Sequence, residues 1–295
     1  MLMEFIQIKK RIKIVLKYFG LYKNKGIWSE ISNRKKQYFI NNVRIKTSKQ
    51  TILEIKNTIE NKKKGAYMRF GDEDIYLMLG EDGALHKTNK KMAKEMKEAM
   101  KCNIGVNHFA LPINSNLFGL EEGMSENMHL VPDKDAIKYL GATYKYNNNN
   151  NIYTPVALHY LATFNQPFCT SFLNFLKSTS PIFVGNQNTK PELVEKLFGG
   201  LHIKCPSVNS YTDIDRVEIE LEKLLRQKEY VFQVVVMAMG CPGRILQKRI
   251  LKKGYNVYLF DFGSLLDAFN DDNTRLWIDL AGGSDNLKNI LKNIY

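Results

Sequence analysis

Ala66-Tyr-Met-Arg-Phe-Gly-Asp-Glu-Asp-Ile-Tyr-Leu77 decides how this chain is read: a short apolar run breaks at Gly71 and three acids follow at once. The run Ala66 to Phe70 predicts a buried strand, and the residues from Asp74 to Leu79 predict the first turns of a helix. The acids then lie on a strand-to-helix turn, the usual place for ligand chemistry in an α/β domain. Asp72 and Asp74 form an Asp-x-Asp pair, and on an extended turn residues two apart point to the same side. Such a pair suits Mg²⁺ or Mn²⁺, which take carboxylate oxygens and fill their other positions with water and phosphate. The same acids also suit a plain helix start, where carboxylates meet the positive end of the helix dipole. On the residues alone both readings stand.

Downstream the same alternation repeats. Pro181 to Gly185, Leu201 to Cys205, Tyr230 to Met239 and Asn256 to Phe260 read as strands, the third apolar enough to be buried on both faces. Helices fall between them: one opened by Pro191, one over Asp213 to Gln227, and one over Arg244 to Lys253 ended by Gly254. Upstream, Ser48 to Asn61 and Asn89 to Lys101 are helical, the latter with Met92, Met96 and Met100 as a packing stripe. Ile104 to Ile113 is a further strand. Strands alternating with helices at this spacing make βαβ units. The expected fold is therefore α/β, a Rossmann-like, mostly parallel sheet with helices on both faces.

Length and charge divide the chain further. Its 295 residues suffice for a sizeable core, and 44% apolar with 25% charged residues is the composition of a globular protein. The net charge of +13 is unevenly placed: residues 1–64 hold 17 Lys and Arg against Glu4, Glu30, Glu54 and Glu60, and residues 65–295 balance. Met1 to Phe19 sets Phe5, Ile8, Ile12, Val15, Leu16 and Phe19 on one face of a basic amphipathic helix. That helix either lies on an anionic membrane surface or packs on protein, and it is too interrupted by charge to span a bilayer. The expected division is 1–47, a basic N-terminal segment, and 48–295, the α/β domain. Residues 20 to 47 carry no clear periodicity, and the asparagine run 147–151 marks a surface loop. Cys102, Cys169, Cys205 and Cys241 are far apart and read as reduced, buried thiols of a cytoplasmic protein, peripheral to the membrane if residues 1–20 bind it. The five histidines show no metal-type spacing.

In a parallel sheet, ligands bind beyond the carboxyl ends of the strands. Arg69, Asp72, Glu73, Asp74, Asn186, Gly240 to Gly243 and Asp261 all fall there. Gly240-Cys-Pro-Gly243 opens a helix whose first amides suit a phosphate, or is a tight turn without a ligand. Arg69, charged at the end of a buried strand, needs either an internal carboxylate or a diphosphate.

These blocks resemble a known family. Arg69-Phe-Gly-Asp-Glu-Asp74 is similar to the Arg-Phe-Gly-Asp-Gly-Glu signature of the GT-D fold glycosyltransferases, formerly a domain of unknown function. Cys205-Pro-Ser-Val-Asn-Ser-Tyr211 resembles the family's Cys-Pro-x-x-Asn-Ala-aromatic segment. Met239-Gly-Cys-Pro-Gly243, Leu251-Lys-Lys-Gly-Tyr255 and Phe260-Asp-Phe-Gly263 resemble its closing run. The likeness spans roughly residues 50 to 270, with matches in one order. It departs at Glu73, where the family has glycine, at Asp74 for glutamate, at Val184-Gly-Asn186 for Val-Glu-Gly, and at Ser264 for histidine.

The resemblance implies a glycosyltransferase that moves a sugar from a nucleoside diphosphate, usually UDP-linked, to a glycan, glycolipid or glycoprotein acceptor in surface polysaccharide or glycoconjugate synthesis. It implies Mn²⁺ or Mg²⁺ held by Asp72 and Asp74; with the neighbouring acid of this chain's own motif, the expected catalytic set is Asp72, Glu73 and Asp74. Donor contacts are then expected from Arg69, Phe70, Gly71, Asn186, Gly240, Pro242, Gly243 and Asp261, with Glu73 or Asp261 as the candidate general base. Two other classes compete. An Asp-x-Asp phosphatase uses a similar motif, but here Tyr76 stands in its closing position and Gly71 interrupts the strand. A basic RNA-binding protein would account for the charge, yet that excess is confined to residues 1–64 and no RNP-type aromatic motif is present, so nucleic acid is not the expected partner.

Overall fold

A computed structural model of the chain describes residues 44–111, 151–227, 231–272 and 276–295. The expected amphipathic helix of residues 1–20, most of the 1–47 segment and nearly all of the asparagine run lie outside the described residues.

Six strands form one all-parallel sheet: β2 (Gly65–Arg69), β3 (Val106–Ala110), β5 (Ile182–Asn186), β6 (His202–Cys205), β7 (Gln233–Ala238) and β8 (Val257–Asp261), in the order β3-β2-β8-β7-β5-β6. A short parallel pair, β1 (Arg44–Ile45) with β4 (Asn151–Ile152), forms a second sheet that a parallel bridge from Tyr153 to Ala110 joins to the end of β3. The last strand thus inserts between β2 and β7, and the turns after β2, β7 and β8 become neighbours. Register pairs Tyr67 with Phe260 and Met237 with Asp261.

Both faces of the sheet are covered, as the uniformly apolar strands require. Tyr67, Val234, Val236, Tyr258 and Phe260 belong to one core with residues of α1 (Ser48–Glu60), α4 (Ala157–Phe164), α5 (Gln166–Ser178), α6 (Pro191–Phe198) and α9 (Leu265–Phe269). Their strand neighbours Met68, Val235 and Leu259 are equally buried and, by the two-residue period of a strand, point to the other face. There α2 (Asp72–Leu79), α3 (Lys90–Met100), α7 (Ile214–Gln227) and α8 (Pro242–Lys252) pack in succession. The methionine stripe of α3 is core, as its spacing predicts: Met92, Met96 and Met100 are all buried. Charges tie this layer at its rim, where Arg249 of α8 meets Glu95 of α3 at 2.8 Å and Glu218 of α7 at 2.7 Å.

Local signals set the element ends. Thr47 caps α1 reciprocally with Gln50, the hydroxyl accepting from the Gln50 amide at 3.2 Å. The helices α4 and α5, and the C-terminal α10 (Leu276–Leu280) and α11 (Gly283–Lys288), carry no clear signal in the sequence. In α4 six of eight residues are buried, so no polar face marks it. In α5 a proline that reads as a break sits in the first turn, where it is tolerated.

At the junction of β2 and β3 a Cβ on Gly65 would stand 2.0 Å from the carbonyl oxygen of Val106. Gly65→Ala is therefore expected to lower the free energy of unfolding by about 1–3 kcal/mol, read from urea denaturation. An unchanged midpoint would mean that the two strands part there at no cost.

No helix among the described residues is long and apolar enough to cross a membrane.

Candidate functional site

The carboxyl ends of β2 and β8 deliver one charged residue each, Arg69 and Asp261, and α8, which follows β7, delivers Arg244. Arg69 Nε lies 3.2 Å from Asp261 Oδ2, its Nη2 donates to Asp261 Oδ1 at 3.2 Å, and its Nη1 donates to the Pro155 carbonyl at 2.8 Å. Of the two roles open to Arg69, the structure shows the internal carboxylate. Arg244 Nη1 lies 2.7 Å from Asp261 Oδ2 and donates to the Gly240 carbonyl at 2.9 Å. Its Nε donates to the Arg69 carbonyl and stands 3.4 Å from Asp74 Oδ1. The result is a buried row, Asp74, Arg244, Asp261, Arg69, of alternating charge.

Burial governs its electrostatics. Asp74 is 2% exposed, Asp261 4% and Arg244 6%. Burial pushes the Asp74 carboxyl above its ordinary value, against the pull of Arg244, the Gly71 amide and the Cys241 thiol. For Arg244, burial opposes the charge, but Asp261 and Asp74 hold its pKa above the ordinary value on balance. Asp74 Oδ1 and Asp261 Oδ2 have no aligned hydrogen-bond donor, so charge rather than hydrogen-bond geometry holds them to Arg244.

Several expected site residues are placed differently. Asp74 is the third residue of α2, and its Oδ2 accepts from the Gly71 amide at 2.7 Å, so the helix-start reading describes it. The Mn²⁺ or Mg²⁺ that the resemblance implies does not fit Asp74 as placed. One oxygen caps the helix, the other faces a guanidinium, and the carboxylate is out of solvent. Asp72 opens α2, and its side chain lies outside the described residues. Phe70 is fully buried and stacks on Phe109 at 5.9 Å, which makes it core and not a donor contact. Cys241, Pro242 and Gly243 are buried, the Gly243 amide donates to the Gly240 carbonyl and the Arg244 amide to the Cys241 carbonyl. The start of α8 is thus a closed turn that offers no such amide to a phosphate, and Gly240 alone of the four is exposed. Asn186 ends β5 half-buried, its Oδ1 accepting from the Asn188 amide at 2.9 Å. Asp261, engaged by two guanidinium groups, is not free to act as a general base.

A second polar cluster lies beside the row, and one of its three members, His86, went unmarked in the sequence. Ligand-type atoms of Glu73, His86 and Cys241 all lie within 4.8 Å of one another. They come from the first turn of α2, the connection between α2 and α3, and the residue before α8. Glu73 Oε1 accepts from the Leu85 amide at 2.9 Å and lies where any side chain at Gly83 would clash. The Cys205–Tyr211 block braces this connection: the Asn209 amide donates to the Leu85 carbonyl at 3.0 Å, and Asn209 Oδ1 accepts from the Lys87 amide at 2.7 Å. Asn209 does so with φ of 53°, a left-handed conformation that asparagine tolerates better than most residues. Ser210 Oγ donates to the Met239 carbonyl at 2.8 Å, tying the same block to the end of β7. Three segments far apart in sequence thus meet around His86. A single histidine without metal spacing gave no signal of this; Asn209, inside a recognisable block, was the indirect one.

A cleft of about 640 Å³ is lined by Met78, Thr88, Lys94, Lys97 and neighbouring residues of α2 and α3. None of the charged row lines it.

No protein family profile matches the chain, and no curated protein matches it. Solved structures do. A structure described as a new glycosyltransferase (DUF1792) from Streptococcus sanguinis is 15% identical, with 82% of this chain and 86% of that chain covered at a TM-score of 0.57. A structure of the same domain, described as having a distinct glycosyltransferase fold, is 16% identical over 85% of this chain and 87% of that chain, with a TM-score of 0.59. A selenomethionine-substituted structure of domain of unknown function 1792 matches to the same extent. The chain has that fold. The likeness covers most of each molecule, and it extends the GT-D resemblance of three short blocks to the whole described sheet. Where the family carries histidine after Asp-x-Gly, this chain has Ser264, and another histidine reaches it: His159 Nε2 lies 3.3 Å from Ser264 Oγ, with Trp277 Nε1 donating to the same oxygen at 3.1 Å.

Proposed function

We propose that this chain is a glycosyltransferase that takes a sugar from a nucleoside diphosphate, UDP-linked in the first instance, and passes it to a glycan, glycolipid or glycoprotein acceptor. The observation that carries this reading is the likeness to the Streptococcus sanguinis glycosyltransferase over 82% of the chain. Its support within the molecule is positional. The Arg69–Asp74, Met239–Gly243 and Phe260–Gly263 blocks, which resemble the GT-D signature, lie at the carboxyl ends of β2, β7 and β8, where a parallel sheet opens to ligands.

In such a transfer the bond between the anomeric carbon and the diphosphate oxygen breaks, the acceptor oxygen bonds to that carbon, and the acceptor's proton leaves to a base. The nucleoside diphosphate departs with the electron pair of the broken bond, so its growing charge must be balanced. Arg69, the guanidinium at the end of β2, keeps 14% of its side chain exposed, against 8% for Arg244. In this reading it keeps Asp261 on one side and meets the diphosphate on the other. A surface role in polysaccharide or glycoconjugate assembly, with a lipid-linked acceptor, rests on the basic residues 1–20, which lie outside the described residues.

The test is a thermal-shift panel of nucleoside diphosphates and their sugars, with and without divalent ions, on the full chain. One base is expected to stand out, with stabilisation of about 2.7 kcal/mol at a hundredfold excess over Kd. If no nucleotide stabilises the protein while a generic phosphomonoester is hydrolysed in Mg²⁺, the phosphatase class replaces this one.

A further inference from the structure

We infer that Glu73, His86 and Cys241 form a binding site for one borderline divalent transition ion of the zinc class, distinct from the Asp72 and Asp74 pair. The inference does not depend on the transferase reading.

The donor set is the first reason. A carboxylate, an imidazole and a thiol within 4.8 Å of one another match the ligand types of three-ligand zinc sites, whose fourth position is left for water or substrate. A hard ion such as Mg²⁺ prefers oxygen alone, and a thiol in its shell is a misfit.

The second reason is an unsatisfied atom. His86 is 3% exposed, and its Nδ1 has no hydrogen-bond partner. A buried polar nitrogen left unpaired is costly and calls for an explanation, and a cation bound at Nδ1 would supply one. Asn209 fixes the backbone on either side of His86, at Leu85 and Lys87, so the ring is held in place. A Cβ at Gly240 would stand 2.5 Å from His86 Nε2, so an exposed glycine forms the approach to the ring.

The third reason is charge. In the row, Asp74 and Asp261 balance Arg69 and Arg244. Glu73 together with a thiolate at Cys241 would bring two negative charges beside that neutral set, and a divalent ion cancels them. The thiol as it stands donates to the Asp74 carboxylate. On coordination the S–H bond breaks, the sulfur pair binds the metal, and the proton leaves to solvent without any change of oxidation state. The site and the row thereby share Asp74, which in the metal-bound form keeps its bonds to Gly71 and Arg244.

The experiment uses the full chain stripped with chelator and no nucleotide present. Co²⁺ serves as the spectroscopic probe and Zn²⁺ as the competitor. The expected result is one equivalent of Co²⁺ with a thiolate-to-cobalt charge-transfer band in the near ultraviolet, displaced by Zn²⁺ and not by Mg²⁺. Cys241→Ser should abolish the band, and His86→Gln and Glu73→Gln should each weaken Zn²⁺ binding by at least about tenfold. Glu73 is half-buried, so its replacement spares the core and keeps the test usable if either buried variant fails to fold. Absence of the band in the wild type, or Zn²⁺ binding unchanged in Glu73→Gln, overturns the site. Nucleotide binding in the thermal-shift panel is a separate readout, so the two readings fail independently.

Discussion

Arg244→Met is expected to destabilise the fold by about 3–5 kcal/mol, the largest effect of any single substitution at the strand ends. Arg244 stands between two carboxylates that are both out of solvent, 2.7 Å from Asp261 and 3.4 Å from Asp74, and its other bonds hold the carbonyls of Arg69 and Gly240. Methionine fills the volume but removes the charge, and Asp261 then keeps only Arg69 while Asp74 keeps the Gly71 amide and the Cys241 thiol. A buried carboxylate without its counter-ion costs far more than the intact pair gains. Denaturant unfolding measures the loss. Adding Asp74→Asn to Arg244→Met should restore part of it, because the orphaned charge is gone, and the two changes will therefore not add. A loss below about 1 kcal/mol would mean that solvent reaches the row and screens it.

The second large effect is a pH dependence. His108, on β3, is 2% exposed; its Nδ1 is 2.7 Å from the Tyr258 hydroxyl, its ring meets Tyr153 edge-on, and burial pushes its pKa down to about 4 despite the nearby Glu54. It is neutral in the folded chain where an unfolded histidine, near 6.5, already takes up a proton. Unfolding therefore absorbs a proton in that window, and stability falls as pH drops from about 6.5 towards 4, by about 1.4 kcal/mol per unit. Glu54 acts at lower pH. Although burial opposes it, Lys46 and Tyr153 hold its pKa below the ordinary value, so its stabilisation is lost only below the unfolded carboxylate range. The expected result is that His108→Gln reduces the stability difference between about pH 7 and pH 4.5 by about 2–3 kcal/mol. If the acid limb of wild type and variant coincide, His108 is solvated and titrates normally.

Much of the fold was legible before any coordinates. The strands at 182–186, 233–238 and 257–261 are short apolar runs bounded by turn residues, and local patterning is enough to place such elements to within a few residues. The helices over 157–178 were not, because a helix buried nearly all round has no polar stripe to reveal its period. Site positions were legible as places: Arg69, Asp74, Gly240 and Asp261 do gather at the strand ends, as their position after apolar runs implies. Their roles were not. Whether Asp74 faces a cation or a guanidinium depends on Arg244, which lies 170 positions later and reaches it only because β8 inserts between β2 and β7.

The sequence by itself determined the alternation of strands and helices, the uneven charge, and the blocks that resemble the GT-D signature, since each of these is written in neighbouring residues. Only the tertiary structure decided which carboxylates are consumed by arginines, that the start of α8 is closed, and that Glu73, His86 and Cys241 share one spot. The physical reason is range. Periodicity and turn chemistry act over a few residues, whereas burial, ion pairing and ligand geometry depend on strand order, which no local pattern in this chain encodes.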